Sequence, residues 1–318
     1  MNKVISHDEM IKYHSDNQIS IETENFNTKH ELALHSIHSM AYNVAALLAE
    51  DKIALDLGCN VGYGSKIISK RAKNVIGVDV SEKSIKEASL KYQSDNIEFK
   101  LIDGKTLPFP SNTFDIIISC QVIEHIIDYE KYLSEVHRVL KNDGLVFFTT
   151  PNAEIRLDPG MKPWYEFHHH EFNRTQLNNL LKKYFAQTEI YGLRGSKYIY
   201  EIEIDRVTAL LNEHRKQKNR YSIVNKLLNV YNIARYIKRK ISDKLFRSQE
   251  MIKDNFIDAI RDCYLEYQKS NINTSIDLLA ICNKNSVLKN DVKKIIEAKY
   301  YIRDFIEFKS INKNSKII

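Results

Sequence analysis

Asp56 and Asp79 each close a short apolar run, and a glycine-rich turn follows the first. The first run is Ile53-Ala-Leu-Asp56-Leu, and Gly58-Cys-Asn60-Val-Gly62-Tyr-Gly64-Ser65 comes next. An apolar run, a carboxylate, a glycine turn and then a helical pattern predict the strand–turn–helix unit that opens a nucleotide-binding α/β sheet. The glycines let the chain turn sharply and let a ligand approach main-chain N–H groups. The second run, Asn74-Val-Ile-Gly-Val-Asp79, ends 21 residues after Gly58, with Val80 next and Ser81 placed to cap a helix reaching Tyr92. That distance suits an acid at the tip of a second strand, placed to bind both hydroxyls of a ribose.

Two cofactor classes use such an arrangement. Dinucleotide sites want G-x-G-x-x-G, with the pyrophosphate at the helix N-terminus. Here the glycines fall at Gly58, Gly62 and Gly64, and Asp56 stands two residues before the first. A carboxylate aimed into a pyrophosphate site would repel it. The same carboxylate suits a ligand carrying an ammonium group. S-adenosylmethionine has an ammonium, a sulfonium, a ribose and no phosphate, so the methyl donor is expected over a dinucleotide.

These residues carry a family resemblance. Asp56-Leu-Gly58-Cys-Asn60-Val-Gly62 resembles the first motif of class I S-adenosylmethionine-dependent methyltransferases. Asp79 matches the family's ribose-binding acid, and Ile102-Asp103-Gly104 matches the segment that holds adenine. Phe114 to His125 resembles the fourth strand and its following turn, with Cys120 and Gln121 opposite the methionine part of the cofactor. Leu140 to Asn152 resembles the fifth strand with its preceding glycine turn. The resemblance runs from about Ala41 to Phe185. It implies a Rossmann-like α/β fold: a seven-stranded, mostly parallel sheet whose seventh strand is antiparallel and lies beside the sixth. The family usually has glycine where this chain has Asn60. Asparagine tolerates left-handed backbone angles, so the turn is expected to survive.

A narrower pattern is similar to bacterial small-molecule and cell-surface glycan methyltransferases. It comprises Gly62-Tyr-Gly-Ser65, Val122-Ile-Glu-His125, Thr150-Pro-Asn152 and a histidine–Phe172 segment. Small-RNA 3′-end 2′-O-methyltransferases share part of it and bind a divalent metal through a Glu-x-x-Glu-His run and a later histidine. Gln121 occupies the first acid position here, so no metal is expected; the metal alternative would use Glu124, His125 and His170. Sugar or related small polar acceptors are favoured. The modest charge and the lack of an appended RNA-binding motif count against nucleic acid, and a non-catalytic cofactor-binding subunit is the third reading.

A hydroxyl acceptor must lose a proton, and histidine titrates near neutral pH. His125, His168 and His170 are the candidate bases. Trp164, Tyr165 and Glu124 are candidate acceptor contacts, the first two because loops after strand C-termini in α/β sheets carry function. The competing reading makes these histidines structural, or members of a surface cluster. His30, His35 and His38 lie on an expected helix from Thr28 to near Glu50 that covers part of the cofactor, and they are read as ordinary helix histidines.

The elements that must position these groups follow from periodicity. Strands are expected at 97–102 and 185–193, a helix from Asp128 with an apolar side of Leu133, Val136 and Val139, and another opening at Asn173 or Thr175. Met10 to Tyr13 suggests a short helix over the site. From about Tyr198 to Ser270 only helical patterns appear, and Ser275–Cys282 reads as strand seven. Residues 1–193 with 275–318 thus form the expected methyltransferase domain, 194–274 a helical insertion, and Lys289–Phe308 a closing helix. The segment 215–247 holds eleven basic residues and one acidic residue, a basic amphipathic pattern open to an anionic membrane surface or substrate, or simply solvated. The chain has 318 residues, a net charge of +6 and four scattered cysteines with no C-x-x-C pair, which argues against a disulfide framework or a cysteine zinc site and suits a reducing compartment. No leader pattern and no apolar run long enough to span a bilayer is evident, so a cytoplasmic protein is expected.

Overall fold

The structure is a computed structural model that describes residues 28–224, 259–285 and 288–306. The expected helix at Met10–Tyr13 and most of the basic segment 215–247 lie outside the described residues. No helix among the described residues is long and apolar enough to cross a membrane.

Helix α1 (Lys29–Leu48) opens on a capping box. The Glu31 N–H donates to Thr28 Oγ1 (3.1 Å), and the Thr28 N–H donates to the Glu31 carboxylate (3.2 Å). Five parallel strands then assemble one half of a sheet: β1 (Ile53–Leu57), β2 (Asn74–Asp79), β3 (Ile97–Leu101), β4 (Phe114–Cys120) and β5 (Leu140–Pro151). Their central strands are buried on both faces, which is why Ile116-Ile-Ile118 and Leu145-Val-Phe-Phe148 read as unbroken apolar runs. Helices α2 (Tyr63–Ser69), α3 (Glu82–Tyr92) and α4 (Tyr129–Val139) make the crossovers. Ser81 caps α3, Asp128 caps α4, and α4 buries Leu133, Val136 and Val139, as the periodicity requires.

After α5 (Ala153–Arg156) and α6 (Arg174–Leu181), strand β6 (Gln187–Gly195) leads into the long helix α7 (Lys197–Val224). Strand β7 (Tyr264–Gln268), strand β8 (Asp277–Asn283), helix α8 (Asn290–Ile296) and strand β9 (Lys299–Tyr301) complete the described chain. The sheet order is β3-β2-β1-β4-β5-β8-β6-β7-β9. The strand expected as the seventh is β8. It runs antiparallel to β6, as expected, and also to β5, between which it lies.

Three expectations are corrected. The sheet has nine strands, not seven, because β7 and β9 extend its edge beyond β6. The stretch 198–270 is not helical throughout: β7 alternates intermediate and buried residues, with Leu265 and Tyr267 inward. Its five residues are too few for a period-2 signal to stand out from the helical pattern before it. The closing helix stops at Ile296, and Lys299–Tyr301 pairs with β7 instead.

Candidate active site

A cavity of about 560 Å³ opens at the C-terminal ends of β1, β2 and β4, the position where open α/β sheets take ligands. The β1–α2 turn forms one wall. Gly58 and Gly62 have φ of +84° and Asn60 has φ of +46°, so the asparagine keeps the left-handed turn that the family builds with glycine. A Cβ on Gly58 would run into Val122, so the close approach of two turns requires glycine there. The Asn60 N–H donates to Asp79 Oδ2 (2.9 Å) and the Ser81 N–H to Asp79 Oδ1 (2.9 Å). The strand-two acid therefore ties its own turn to the glycine turn. A carboxylate has about four acceptor positions, so these two bonds leave others for a ligand.

Other expected cofactor residues divide into lining and supporting groups. Gly58, Asn60, Asp79, Val80, Gly104, Cys120 and Gln121 line the cavity. Gly62 packs instead against Ala88 and Phe99. Asp56 is fully buried beneath the turn, accepting from Ser65 Oγ (2.6 Å) and Tyr42 Oη (3.5 Å), and burial pushes its carboxyl up to about 7. Asp103 is exposed and accepts from the N–H groups of Lys105 (2.8 Å) and Thr106 (2.9 Å); those bonds hold its carboxyl below the usual range. Gly104, Lys105 and Thr106, rather than Asp103, form that edge of the cavity.

The opposite wall joins the short turn at Ile123–His125 to the loop before Phe172. The His169 N–H donates to the Glu124 carbonyl (2.8 Å), and His125 Nδ1 meets the Phe167 carbonyl (2.9 Å). That carbonyl only accepts, so Nδ1 carries the proton and Nε2 is the basic nitrogen of neutral His125. Tyr165, Phe167 and His169 line the cavity with His125.

His168 lies behind this wall. Its Nδ1 sits 2.6 Å from Glu171 Oε1, and Arg156 donates to both Glu171 oxygens (2.8 and 3.1 Å). Burial works to raise Glu171, but His168 and Arg156 outweigh it and hold the carboxyl down at about 2. Burial lowers His168, partly offset by Glu171. His170 stacks edge-on against Phe172 (4.6 Å between centroids) and does not line the cavity. Trp164 donates its Nε1 to the Arg156 carbonyl (3.1 Å) beneath the Arg156 guanidinium, also outside the lining. Glu124 is fully buried; its Oε2 accepts from Thr150 Oγ1 (3.0 Å), and burial pushes its carboxyl up to about 8.

Several lining residues went unassigned in the sequence. His38 and Tyr42 project from α1, whose place over the cofactor was expected but not residue by residue. Burial pushes His38 down to about 4, so it stands neutral in the wall. Asp277 enters from β8 and accepts from Gln121 Nε2 (3.0 Å); burial lifts it to about 7. Nothing local signals it, because its partner lies 156 positions earlier. Gln121 itself has φ of +57°, a strained backbone of the kind found at functional sites.

A family model described as a methyltransferase domain matches residues 55–148. A protein of Mycolicibacterium smegmatis described as a probable S-adenosylmethionine-dependent methyltransferase is 33% identical over 146 residues, 46% of this chain and 56% of its own length. A ubiquinone biosynthesis O-methyltransferase of Rhizobium etli is 30% identical over 104 residues, 32% of this chain and 42% of its own. The chain thus spans about half the length of the curated relatives it matches. Among solved structures, an S-adenosylmethionine-dependent methyltransferase of Mesorhizobium loti superposes with a TM-score of 0.41 at 20% identity, covering 48% of this chain and 81% of its own. Residues 55–148 thus resemble a methyltransferase domain, a likeness that implies S-adenosylmethionine as the cofactor.

Proposed function

We propose that the protein is an S-adenosylmethionine-dependent O-methyltransferase acting on a sugar or other small polar hydroxyl acceptor. One observation carries this reading. A single cavity has the strand-two acid and glycine turn at one end and, at the other, His125 beside Tyr165, Phe167 and His169. The likeness to a relative named as an O-methyltransferase agrees with an oxygen acceptor.

When bound, S-adenosylmethionine supplies a methyl on a sulfonium whose departure leaves a neutral thioether, so the chain needs no acid for the leaving group. Asp79 holds the ribose, and Val80 with Gly104 borders the base. The aromatic wall of Tyr165 and Phe167 suits the face of a sugar ring. Alignment of the acceptor contributes several kcal/mol, about 7–11 at the ideal limit. Proton removal falls to the group around His125, whose basic Nε2 is fixed by the Phe167 carbonyl; a positioned base contributes about 10²–10⁴ in rate.

The test combines binding with transfer. Calorimetry should show S-adenosylmethionine and S-adenosylhomocysteine binding and NAD failing to bind. Labelled donor incubated with polar extracts of the native cell should then yield an alkali-stable methyl ether. Tight NAD binding, or label recovered only as N-methyl or ester products, would overturn the reading.

A further inference from the structure

We propose that Glu124, His125 and His168 form a binding site for a divalent transition-metal ion. The ion's role in catalysis rests on the methyltransferase reading above; its binding does not. A carboxylate oxygen of Glu124 and a ring nitrogen of each histidine all lie within 4.8 Å of one another. Tetrahedral ligands about 2.0–2.2 Å from one centre lie ~3.3–3.6 Å from each other, so the side chains need close by at most about 1.5 Å, within reach of small side-chain rotations.

Two independent features point to a ligand there. Glu124 is fully buried, yet only Oε2 has a partner; Oε1 accepts no hydrogen bond. A buried carboxylate oxygen left so is costly unless a cation or donor meets it. The histidines are also held from behind. The Phe167 carbonyl fixes Nδ1 of His125, and the Glu171 carboxylate fixes Nδ1 of His168, itself clamped by Arg156. Both outer partners are acceptors, so each ring presents Nε2 as its lone-pair nitrogen. Metal-binding histidines are oriented in this way, through the ring nitrogen that does not coordinate. No other group of three His, Cys, Asp or Glu side chains with this spacing occurs among the described residues.

The donor set selects the ion class. Two imidazole nitrogens with one carboxylate oxygen suit Mn²⁺, Co²⁺ or Zn²⁺, whereas Mg²⁺ and Ca²⁺ prefer oxygen alone. Three protein ligands leave positions open, and His125 borders the cavity, so a hydroxyl oxygen of the acceptor has access. A cation there lowers the pKa of that hydroxyl. Its proton passes to water, the oxygen pair forms the new C–O bond, and the C–S pair returns to sulfur. The proton-removal role of the group around His125 is thereby refined: with the ion bound, Nε2 of His125 serves that step as a ligand, through the ion.

The full chain, stripped with EDTA, is titrated with Co²⁺ by calorimetry and visible absorption. One Co²⁺ per chain is expected, with d–d bands of nitrogen and oxygen ligation. His125→Ala and His168→Ala should each weaken it by about 100-fold, and Glu171→Gln by about 10-fold. S-adenosylhomocysteine affinity in His168→Ala should move less than about threefold, since its ring lies outside the cavity wall. Thermal melts identify any variant that fails to fold; His168→Ala and Glu171→Gln leave the buried Glu124 in place and keep the test open. No Co²⁺ bound by the wild type at about 1 mM, or binding indifferent to both histidine variants, would overturn the site. Full turnover in EDTA would overturn the ion's catalytic role while leaving methyl transfer standing, and loss of S-adenosylhomocysteine binding by the wild type would instead sink the donor reading.

Discussion

The donor end of the cavity is held by short-range contacts, and the acceptor end by contacts that cross the chain. Between residues 57 and 81, two strand tips and one turn are tied by the Gly58 and Cys59 N–H groups donating to Val78 and by Asp79 bridging to Asn60 and Ser81. All of it lies inside one β–α–β unit. At the acceptor end, His125 reaches Phe167, Gln121 reaches Asp277, and Asn152 Nδ2 reaches the carbonyls of Ile272 and Ser275. The sheet repeats the contrast. Its parallel half follows local crossovers, while β8 arrives late and slots between β5 and β6. The donor end is polar main chain bonded to one acid. The acceptor end buries four ionisable side chains, Arg156, Glu171, Glu124 and Asp277, with the Arg156–Glu171 ion pair among them. Substitutions should therefore act on binding at one end and on folding at the other.

Glu171→Ala should show this most strongly. The variant leaves the buried Arg156 guanidinium without its bidentate partner and frees Nδ1 of His168. Breaking one side of a buried ion pair costs about 3–5 kcal/mol. Urea unfolding at pH 7 measures it. A loss below about 1 kcal/mol would mean the pair behaves like a surface bridge, and the contrast between the two ends would lose its main support.

Asp79→Ala is the matching test at the donor end. It removes the acceptor for two backbone N–H groups and, on the proposed reading, for the ribose. Donor affinity should weaken by about 1–3 kcal/mol, the worth of charge-assisted hydrogen bonds. Calorimetry reads the affinity and a thermal melt the stability. Equal affinity in the variant would show that the cavity is held by its apolar walls alone.

The same contrast decides what the sequence could reveal. Asp79, Val80 and the glycine turn were legible because each sits at a fixed offset from an apolar run, and left-handed backbone at Asn60 follows from residue type. Lining by Gln121 and His125 followed from the turn after the fourth strand. His168 was legible as a titratable group but not as a residue behind the wall, since that depends on Arg156 and Glu171 folding under it. Asp277 was legible only as part of a strand. Its approach to Gln121 depends on β8 lying beside β5, and no local spacing encodes that. Strands β7 and β9 escaped for a related reason: each is short and is defined by its pairing, β7 with β6 and β9, and β9 with β7.

Asp277 also gives a pH test of the acceptor end. Its carboxyl is lifted from 3.8 to about 7, chiefly by burial, with Glu203 adding to the effect. The folded chain therefore keeps a proton that the unfolded chain has released. That contribution to stability is complete below about 4 and is lost as pH rises through about 7. Between pH 6.5 and 8 the ligand-free protein should lose on the order of 1 kcal/mol from this group. His35 and His38, held down at about 4, still add stability as pH rises past 6.5 and oppose this loss in the total, but they are present in both proteins and cancel in the difference. Asp56, also near 7, shifts in the same direction as Asp277 and remains in both proteins. The difference in unfolding free energy between Asp277→Asn and wild type should thus grow in the variant's favour from pH 6.5 to 8. A constant difference would mean Asp277 is already ionised at the lower pH.

Asn60→Gly should have the smallest effect and is the sharpest probe of how local the donor end is. Asn60 adopts φ of +46° between two glycines at +84°, and its N–H, not its side chain, bonds Asp79. Glycine adopts that angle without steric cost but loses more conformational entropy on folding. Asparagine carries a modest left-handed penalty that its short polar side chain reduces. The two terms are each below about 1 kcal/mol and oppose each other. Stability and S-adenosylhomocysteine affinity should therefore both change by less than about 1 kcal/mol. If affinity alone falls by more, the Asn60 side chain contacts the ligand, and this position is a specificity element of the donor site and not a tolerated replacement for glycine.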